Sequence, residues 1–207
     1  MKIKLFLLTA LLALFSLSFA AVKAEAQLDS LVKKYGELTS WQAVINQTNF
    51  FKQSDTTLHS EGNFYWQKGK LCLRYSKPQE QVLLVKDGTV TVYDKSAQTA
   101  VRTTLSSDLQ SLDPVAVVKN YKQRSEISSS QTANGYTTYL LKPTDDPQVK
   151  EIRIRISPRT NYIDQFSYVD RQGNKVTLEF KNLKINSAIP ASVWKLQLPK
   201  GVQLIEN

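Results

Sequence analysis

Few side chains in this 207-residue chain are equipped for covalent chemistry. It carries a single histidine, His59, and a single cysteine, Cys72. A zinc-type centre needs several His, Cys or carboxylate ligands converging on one point, so no cluster of soft ligands can form. Any serine or cysteine nucleophile would have to use His59 as its base, and no Gly-x-Ser-x-Gly elbow occurs. His59, between Leu58 and Ser60 in a predicted loop, reads as a solvated side chain. Cys72 lies in the alternating run Leu71-Cys72-Leu73 and reads as a small buried hydrophobe. The paired carboxylates Asp145-Asp146, set between Pro143 and Pro147, read as a solvated turn. The 7 glycines are scattered singly at turns, which leaves no Gly-rich phosphate loop. The residues therefore predict no catalytic site, no metal and no cofactor.

Charge and address narrow the partners. Lys2 and Lys4 precede an apolar run from Leu5 to Phe19, and small residues follow at Ala20, Ala21, Ala24 and Ala26. That is the pattern of an export signal, with residues 1–24 expected to be removed and residues 25–207 to form one domain. A retained anchor is the alternative, but a membrane span needs about 20 apolar residues. Loss of Lys2, Lys4 and Lys23 lowers Lys plus Arg from 27 to 24 against 18 acidic residues, a mature net charge of +6. One cysteine allows no intramolecular disulfide, and none stands at the cleavage point to take a lipid anchor, so a soluble product is expected. Basic residues alternate with aromatics in Lys68–Tyr75 and Lys119–Arg124, a pattern also met in nucleic-acid binders. Export argues against nucleic acid and points to anionic lipid headgroups or an acidic protein.

The elements that must position any site are mostly strands. An amphipathic helix comes first: Leu28, Leu31, Val32, Tyr35 and Leu38 recur at i, i+3, i+4, i+7 and i+10. From Ser40 the period becomes two, with Trp41, Ala43, Ile45 and Gln47 on one face. Asn63–Gln67 and Leu71–Ser76 form a predicted hairpin about Lys68-Gly69-Lys70. The next hairpin, Gln81–Lys86 with Thr89–Tyr93, turns at Asp87-Gly88, a pair suited to the positive φ of a type I′ turn. Leu83 and Val85 share a face of its first strand, and Val90 and Val92 a face of its second. Ala97–Thr104 is a further strand. Asp113-Pro114 opens a short helix carrying Val115, Val117 and Val118, with Pro where its missing N–H costs nothing. A third hairpin turns at Asn134-Gly135, and Ile152, Ile154 and Ile156 alternate with Glu151, Arg153 and Arg155. Another strand pair turns at Arg171–Asn174, and Val193, Leu196 and Leu198 predict a final strand. About ten strands in one antiparallel sheet must curl or close.

What remains is an apolar excess. Trp41, Phe50, Phe51, Phe64, Trp66, Leu71, Leu73 and Tyr75 crowd into residues 41–75. Core packing accounts for most of them. A strongly curved sheet also leaves a lumen, and a lumen of this composition would take an acyl chain. The pattern alone is compatible with both.

Longer motifs carry a family resemblance. Pro78-Gln79-Glu80-Gln81, Leu84-Val85, Asp87-Gly88 and Tyr93-Asp94 resemble the central motif of the periplasmic outer-membrane lipoprotein carrier (LolA-like) family. Trp41-x-Ala43-x-Ile45-x-Gln47 is similar to that family's first strand, and Gly62-Asn63-Phe64-Tyr65-Trp66 to its Gly-x-Phe-Trp strand. Leu141-Lys142-Pro143, Ile163-Asp164-Gln165-Phe166, Phe180-x-Asn182, Ile189-Pro190 and Pro199-x-Gly201-Val202 match downstream, in order.

The resemblance implies a mainly β (α+β) fold: a single curved antiparallel sheet forming an unclosed half-barrel, with short helices capping its apolar concave face. It implies a soluble, monomeric periplasmic carrier without a catalytic site, holding the acyl chains of a lipoprotein or a related lipid. The cargo would come from an inner-membrane release complex and pass to an outer-membrane acceptor, with transient contact at the membrane surface. The expected cavity lining is Trp41, Ile45, Phe64, Trp66, Leu73, Leu83, Val85, Val90 and Val92, with Leu31 and Val117 from the lid helices. One departure matters. The family typically carries Lys-Arg-Pro-Gly after the Gly-x-Phe-Trp strand, its Arg holding the lid, where this chain has Gln67-Lys68-Gly69. Lys68 is thus the candidate latch, without the planar five-donor fork of a guanidinium. The same fold serves periplasmic regulators that sense lipids or mislocalised lipoproteins, which is the second expectation for function.

Overall fold

The structure, a computed structural model, describes residues 24–104 and 114–206. The expected export signal, apart from Ala24, lies outside the described residues, as do Asp113 and the side chain of Val115. The chain is helical from residue 24 to residue 36 (α1). A meander of β1 (Ser40–Phe51), β2 (Thr56–Gln67), β3 (Lys70–Lys77), β4 (Gln81–Lys86), β5 (Thr89–Asp94) and β6 (Thr99–Thr104) follows. Helix α2 (Pro114–Lys122) leads into β7 (Ser125–Gln131), β8 (Thr137–Pro143), β9 (Val149–Ile156), β10 (Ile163–Asp170) and β11 (Lys175–Ile185). The last strand is β12 (Gln203–Glu206).

All twelve strands join one sheet in the order β12-β6-β5-β4-β3-β2-β1-β11-β10-β9-β8-β7. Strand β1 is the seam: it pairs antiparallel with β2 on one side and β11 on the other, and so joins the two meanders. Only β12 runs parallel to its neighbour, β6. The sheet does not close, and β7 and β12 form its two edges. This is the mainly β, unclosed half-barrel that the resemblance implied, with α1 and α2 on the concave side.

Local chemistry explains the turns. Asp87 and Gly88 both take positive φ, 53° and 73°, as the type I′ hairpin between β4 and β5 requires. The β7–β8 connection differs from expectation. Gly135 alone is left-handed, at 80°, and the loop spans residues 132–136, closed by Thr132 N–H donating to the Tyr136 carbonyl. His59 is also displaced from its predicted loop. It lies within β2 opposite Thr48, with its Nδ1 3.2 Å from the Thr48 hydroxyl.

The C-terminal expectation is corrected more fully. Val193 lies in a single 3-10 turn, Ala191–Trp194, and Leu196 and Leu198 lie in non-strand backbone. Pro190 and Pro199 lack the N–H groups that a ladder would need, so the strand begins only at Gln203. The segment instead packs on the convex face, where Val193 and Trp194 form a small second core with Cys72 and Leu84. Cys72 is fully buried there, and burial pushes its thiol pKa up. The main core fills the concave side, where Leu28, Leu31 and Tyr35 of α1 join Trp41, Ile45, Phe64, Leu141, Ile154 and Phe180 of the sheet.

A bulge at Glu61/Gly62 brings β2 close to β3. A Cβ on Gly62 would lie 2.3 Å from the Arg74 carbonyl oxygen and 2.8 Å from Tyr75 Cα, both backbone atoms that cannot swing aside. Gly62→Ala should therefore destabilise the fold by about 1–3 kcal/mol, measured by urea unfolding. Gly36→Ala, with nothing within 4 Å at the end of α1, should leave stability unchanged or slightly raised.

Candidate ligand-binding site

The concave face is not filled along its whole length. A cavity of about 470 Å³ opens between the sheet and α2, within the usual range for small-molecule sites. Its floor runs across neighbouring strands: Leu71 and Leu73 of β3, Phe64 of β2, Trp41 of β1, Leu178 and Phe180 of β11, and Phe166 and Tyr168 of β10. Ile163 of β10 and Val149 and Ile152 of β9 continue it, and Val117, Val118 and Tyr121 of α2 form the facing wall. The register produces this continuity, because Phe64 stands opposite Leu73, Phe166 opposite Leu178, and Tyr168 opposite Ile152.

One end is built from aromatic rings. Trp41 is 1% exposed and has ring centroids 5.3 Å from Tyr35, 4.8 Å from Phe64 and 4.8 Å from Phe180. Its Nε1–H is buried without a hydrogen-bond partner, so packing is what holds it. At the other end Tyr168, Leu58 and Phe51 are exposed, which opens the apolar face to solvent. Among the described residues, the lining offers only the Tyr121 and Tyr168 hydroxyls and the Trp41 indole N–H as polar side-chain groups.

Of the residues expected to line a cavity, Trp41, Phe64, Leu73 and Val117 border this one. Ile45, Trp66, Val85, Val90 and Leu31 lie on the same side but are packed into the core, with Leu83 and Val92 half-buried against it. They support the cavity without bordering it. Four further lining residues carry a sequence signal, because Phe166 and Tyr168 on β10, and Leu178 and Phe180 on β11, are each two residues apart, the spacing of one strand face.

The lid is held away from the predicted latch. Lys68 is exposed in the β2–β3 turn and makes no hydrogen bond or ion pair with a described residue. Helix α1 is pinned instead by the buried Tyr35 hydroxyl, which accepts from Ile163 N–H at 2.6 Å. Burial drives that phenol's pKa far above its ordinary value. Lys34 donates to the Asn161 carbonyl at 2.6 Å and sits 3.7 Å from the Tyr162 ring centroid. Helix α2 is tied to α1 by Lys122, 2.7 Å from Asp29 and 3.4 Å from Glu25.

Asp146 anchors the same C-terminal end of α2 through Tyr121, which corrects its reading as a solvated turn residue. It is 7% exposed, accepts from Gln148 and Val149 N–H at 2.8 and 2.7 Å, and receives the Tyr121 hydroxyl at 3.0 Å. Arg124 lies 3.2 Å away. Pro147 bends the chain so that the following amides converge on this carboxylate. Burial alone would raise the pKa of Asp146, but the two amides, Tyr121 and Arg124 together hold it below the usual carboxylate value.

An open half-barrel with helices over a dry concave cavity is the class this architecture defines. The family profile described as outer membrane lipoprotein carrier protein LolA matches residues 37–197, and the chain belongs to that family. An outer-membrane lipoprotein carrier protein of Pseudomonas fluorescens is 28% identical over 216 residues, spanning 100% of both chains. Among solved structures, an uncharacterized conserved protein from Thermus thermophilus superposes with a TM-score of 0.56 at 12% identity, covering 88% of this chain and 98% of that one. The MucA/MucB complex of Pseudomonas aeruginosa matches with a TM-score of 0.51 at 13% identity, over 84% of this chain and 61% of that one. At such identities the two structures speak for the fold alone.

Tyr35→Phe should loosen α1 by orphaning the buried Ile163 N–H, a cost of about 1–3 kcal/mol, seen as faster amide exchange at Ile163. The Asp146 anchor has a depressed folded-state pKa. Its stabilisation is therefore complete above the unfolded carboxylate value near 3.9 and is lost as pH falls through the folded value. Proteolytic nicking near α2 should rise over that acid window in the wild type, whereas Asp146→Asn should show it already at neutral pH.

Proposed function

We propose that this protein is a soluble periplasmic carrier. It binds the acyl chains of lipoproteins, or of a related lipid, in the concave cavity and moves them from the inner towards the outer membrane. The observation that carries this reading is the cavity itself: aliphatic and aromatic side chains from the sheet and α2, with no charged group among the described lining residues. Such a wall offers dispersion and water exclusion, with the Tyr121 and Tyr168 hydroxyls its only titratable groups among the described residues. Burial of an acyl chain releases about 0.8 kcal/mol per methylene, so a long chain binds tightly without chemistry. Release then depends on a competing acceptor. Membership of the lipoprotein carrier family supports the same conclusion, and among the described residues no helix is long and apolar enough to cross a membrane.

The alternative reading is a periplasmic regulator that senses lipids or lipoproteins on the same fold. It predicts a stable complex with a signalling protein in place of a lipid load.

Native mass spectrometry of protein isolated from periplasm should find adducts of acyl-bearing mass, and Leu73→Asp should abolish them. A charge on the cavity floor must be desolvated by any bound chain, and affinity for an alkyl probe should fall at least about tenfold. A protein that carries no lipid and takes none up from vesicles would sink the carrier reading. Co-purification of a signalling complex instead would favour the regulator.

A further inference from the structure

Beyond the open end of the dry cavity lies a second hollow of about 360 Å³, and Val149 and Tyr168 line both. The rest of its lining is mostly polar, with Asp170 and Arg171 flanked by Gln148 and Gln172. A ligand whose tail lies against Phe166 therefore passes Tyr168 and enters charged surroundings. Burial and the neighbouring Asp170 charge raise the Tyr168 pKa, so its hydroxyl stays neutral at this boundary.

The two charges in the hollow are not equivalent. Asp170 is spent on its own turn. One carboxylate oxygen accepts from Gln172 N–H at 2.9 Å and from Asn174 N–H at 2.8 Å, and the other accepts from Asn174 Nδ2 at 2.7 Å. Arg171 is held but not spent. Its backbone N–H donates to the Gln148 carbonyl at 2.8 Å, and its Nε donates to the Asp146 carbonyl at 3.1 Å. The terminal guanidinium nitrogens have no acceptor among the described residues, although they carry most of the donors of the planar fork. A cation fixed at its base with its fork unmatched suits an oxyanion, which takes parallel N–H···O bonds.

We infer that this hollow seats the phosphate of a phospholipid head group on Arg171 while the acyl chain occupies the cavity. This rests on the carrier reading and deepens it, because it selects a phospholipid over a lipoprotein, whose head is a polypeptide. Size agrees, since 360 Å³ is more room than a carboxylate at the end of a free fatty acid would fill.

The test sets palmitoyl-lysophosphatidylglycerol against monopalmitoylglycerol as competitors of a pyrene-labelled alkane. The two share the chain and its glyceryl ester and differ in the phosphate-bearing group. At low salt the wild type should bind the phosphate-bearing ligand at least about tenfold more tightly, the worth of a charge-assisted pair. Arg171→Gln should abolish that preference while monopalmitoylglycerol binding stays unchanged. Arg171→Lys, which keeps the charge without the fork, should retain only part of it. Lys175→Gln removes the same charge from the start of β11, outside the hollow, and should leave the preference intact. Equal binding of the two ligands to the wild type, a preference untouched by either Arg171 substitution, or one lost as fully with Lys175→Gln overturns the phosphate seat and leaves the carrier reading standing. Displacement by neither compound overturns both.

Discussion

The indole of Trp41 lies where the molecule is joined together. Within the sheet, β1 is the strand hydrogen-bonded on one side to the β2–β6 meander and on the other to the β7–β11 meander. Trp41, on its concave face, packs against Tyr35 of α1, Phe64 of β2 and Phe180 of β11. Each such aromatic pair contributes about 0.5–1.5 kcal/mol beyond its buried area. The cluster therefore couples both halves of the sheet to the helix above them at a single point. An open sheet has no closure to hold its curvature, so a packed wedge at the seam has to do so. The same wedge forms one end of the cavity, which ties the site's shape to the fold's stability.

The two lids are held by forces of different strength. Helix α1 is fixed by buried, backbone-directed contacts, with the Tyr35 hydroxyl on Ile163 N–H and apolar residues set into the core. Helix α2 presents aliphatic side chains to an unfilled space and is tied through Lys122 to two carboxylates that are themselves more than half exposed. Exposed ion pairs are worth about 0–1 kcal/mol, well below the cost of unmaking a buried hydrogen bond. Its firmer tie is at Tyr121 and Asp146. The cavity is thus roofed by the more weakly attached element, whose polar ties among the described residues lie at its C-terminal end.

Period-two alternation made much of the architecture legible in the sequence. The β4–β5 hairpin, with positive φ at Asp87 and Gly88, agrees with its expected bounds to within one residue, β5 running to Asp94. Side identity was legible too, since Leu83, Val85, Val90 and Val92 do face the main core. What the alternation does not encode is where a concave face is filled and where it stays empty. That depends on helices packed across the strands, a tertiary matter, so Ile45 and Trp66 were indistinguishable from Trp41 and Phe64. Asp146 was opaque for a related reason, because its partners Tyr121 and Arg124 come from another element. The C-terminal segment misled because Val193, Leu196 and Leu198 have strand spacing, whereas Pro190 and Pro199 forbid the ladder.

A wall that offers only contact also acts as a clock. For any chain that lies along it, each further buried methylene adds about 0.8 kcal/mol, which lengthens the dwell time roughly fourfold if association is unchanged. A ligand a few carbons too short departs orders of magnitude sooner than one that fills the space between Trp41 and Tyr168. The dimensions of the 470 Å³ hollow would then sort ligands by how long they stay, before any receiving partner exerts a preference of its own.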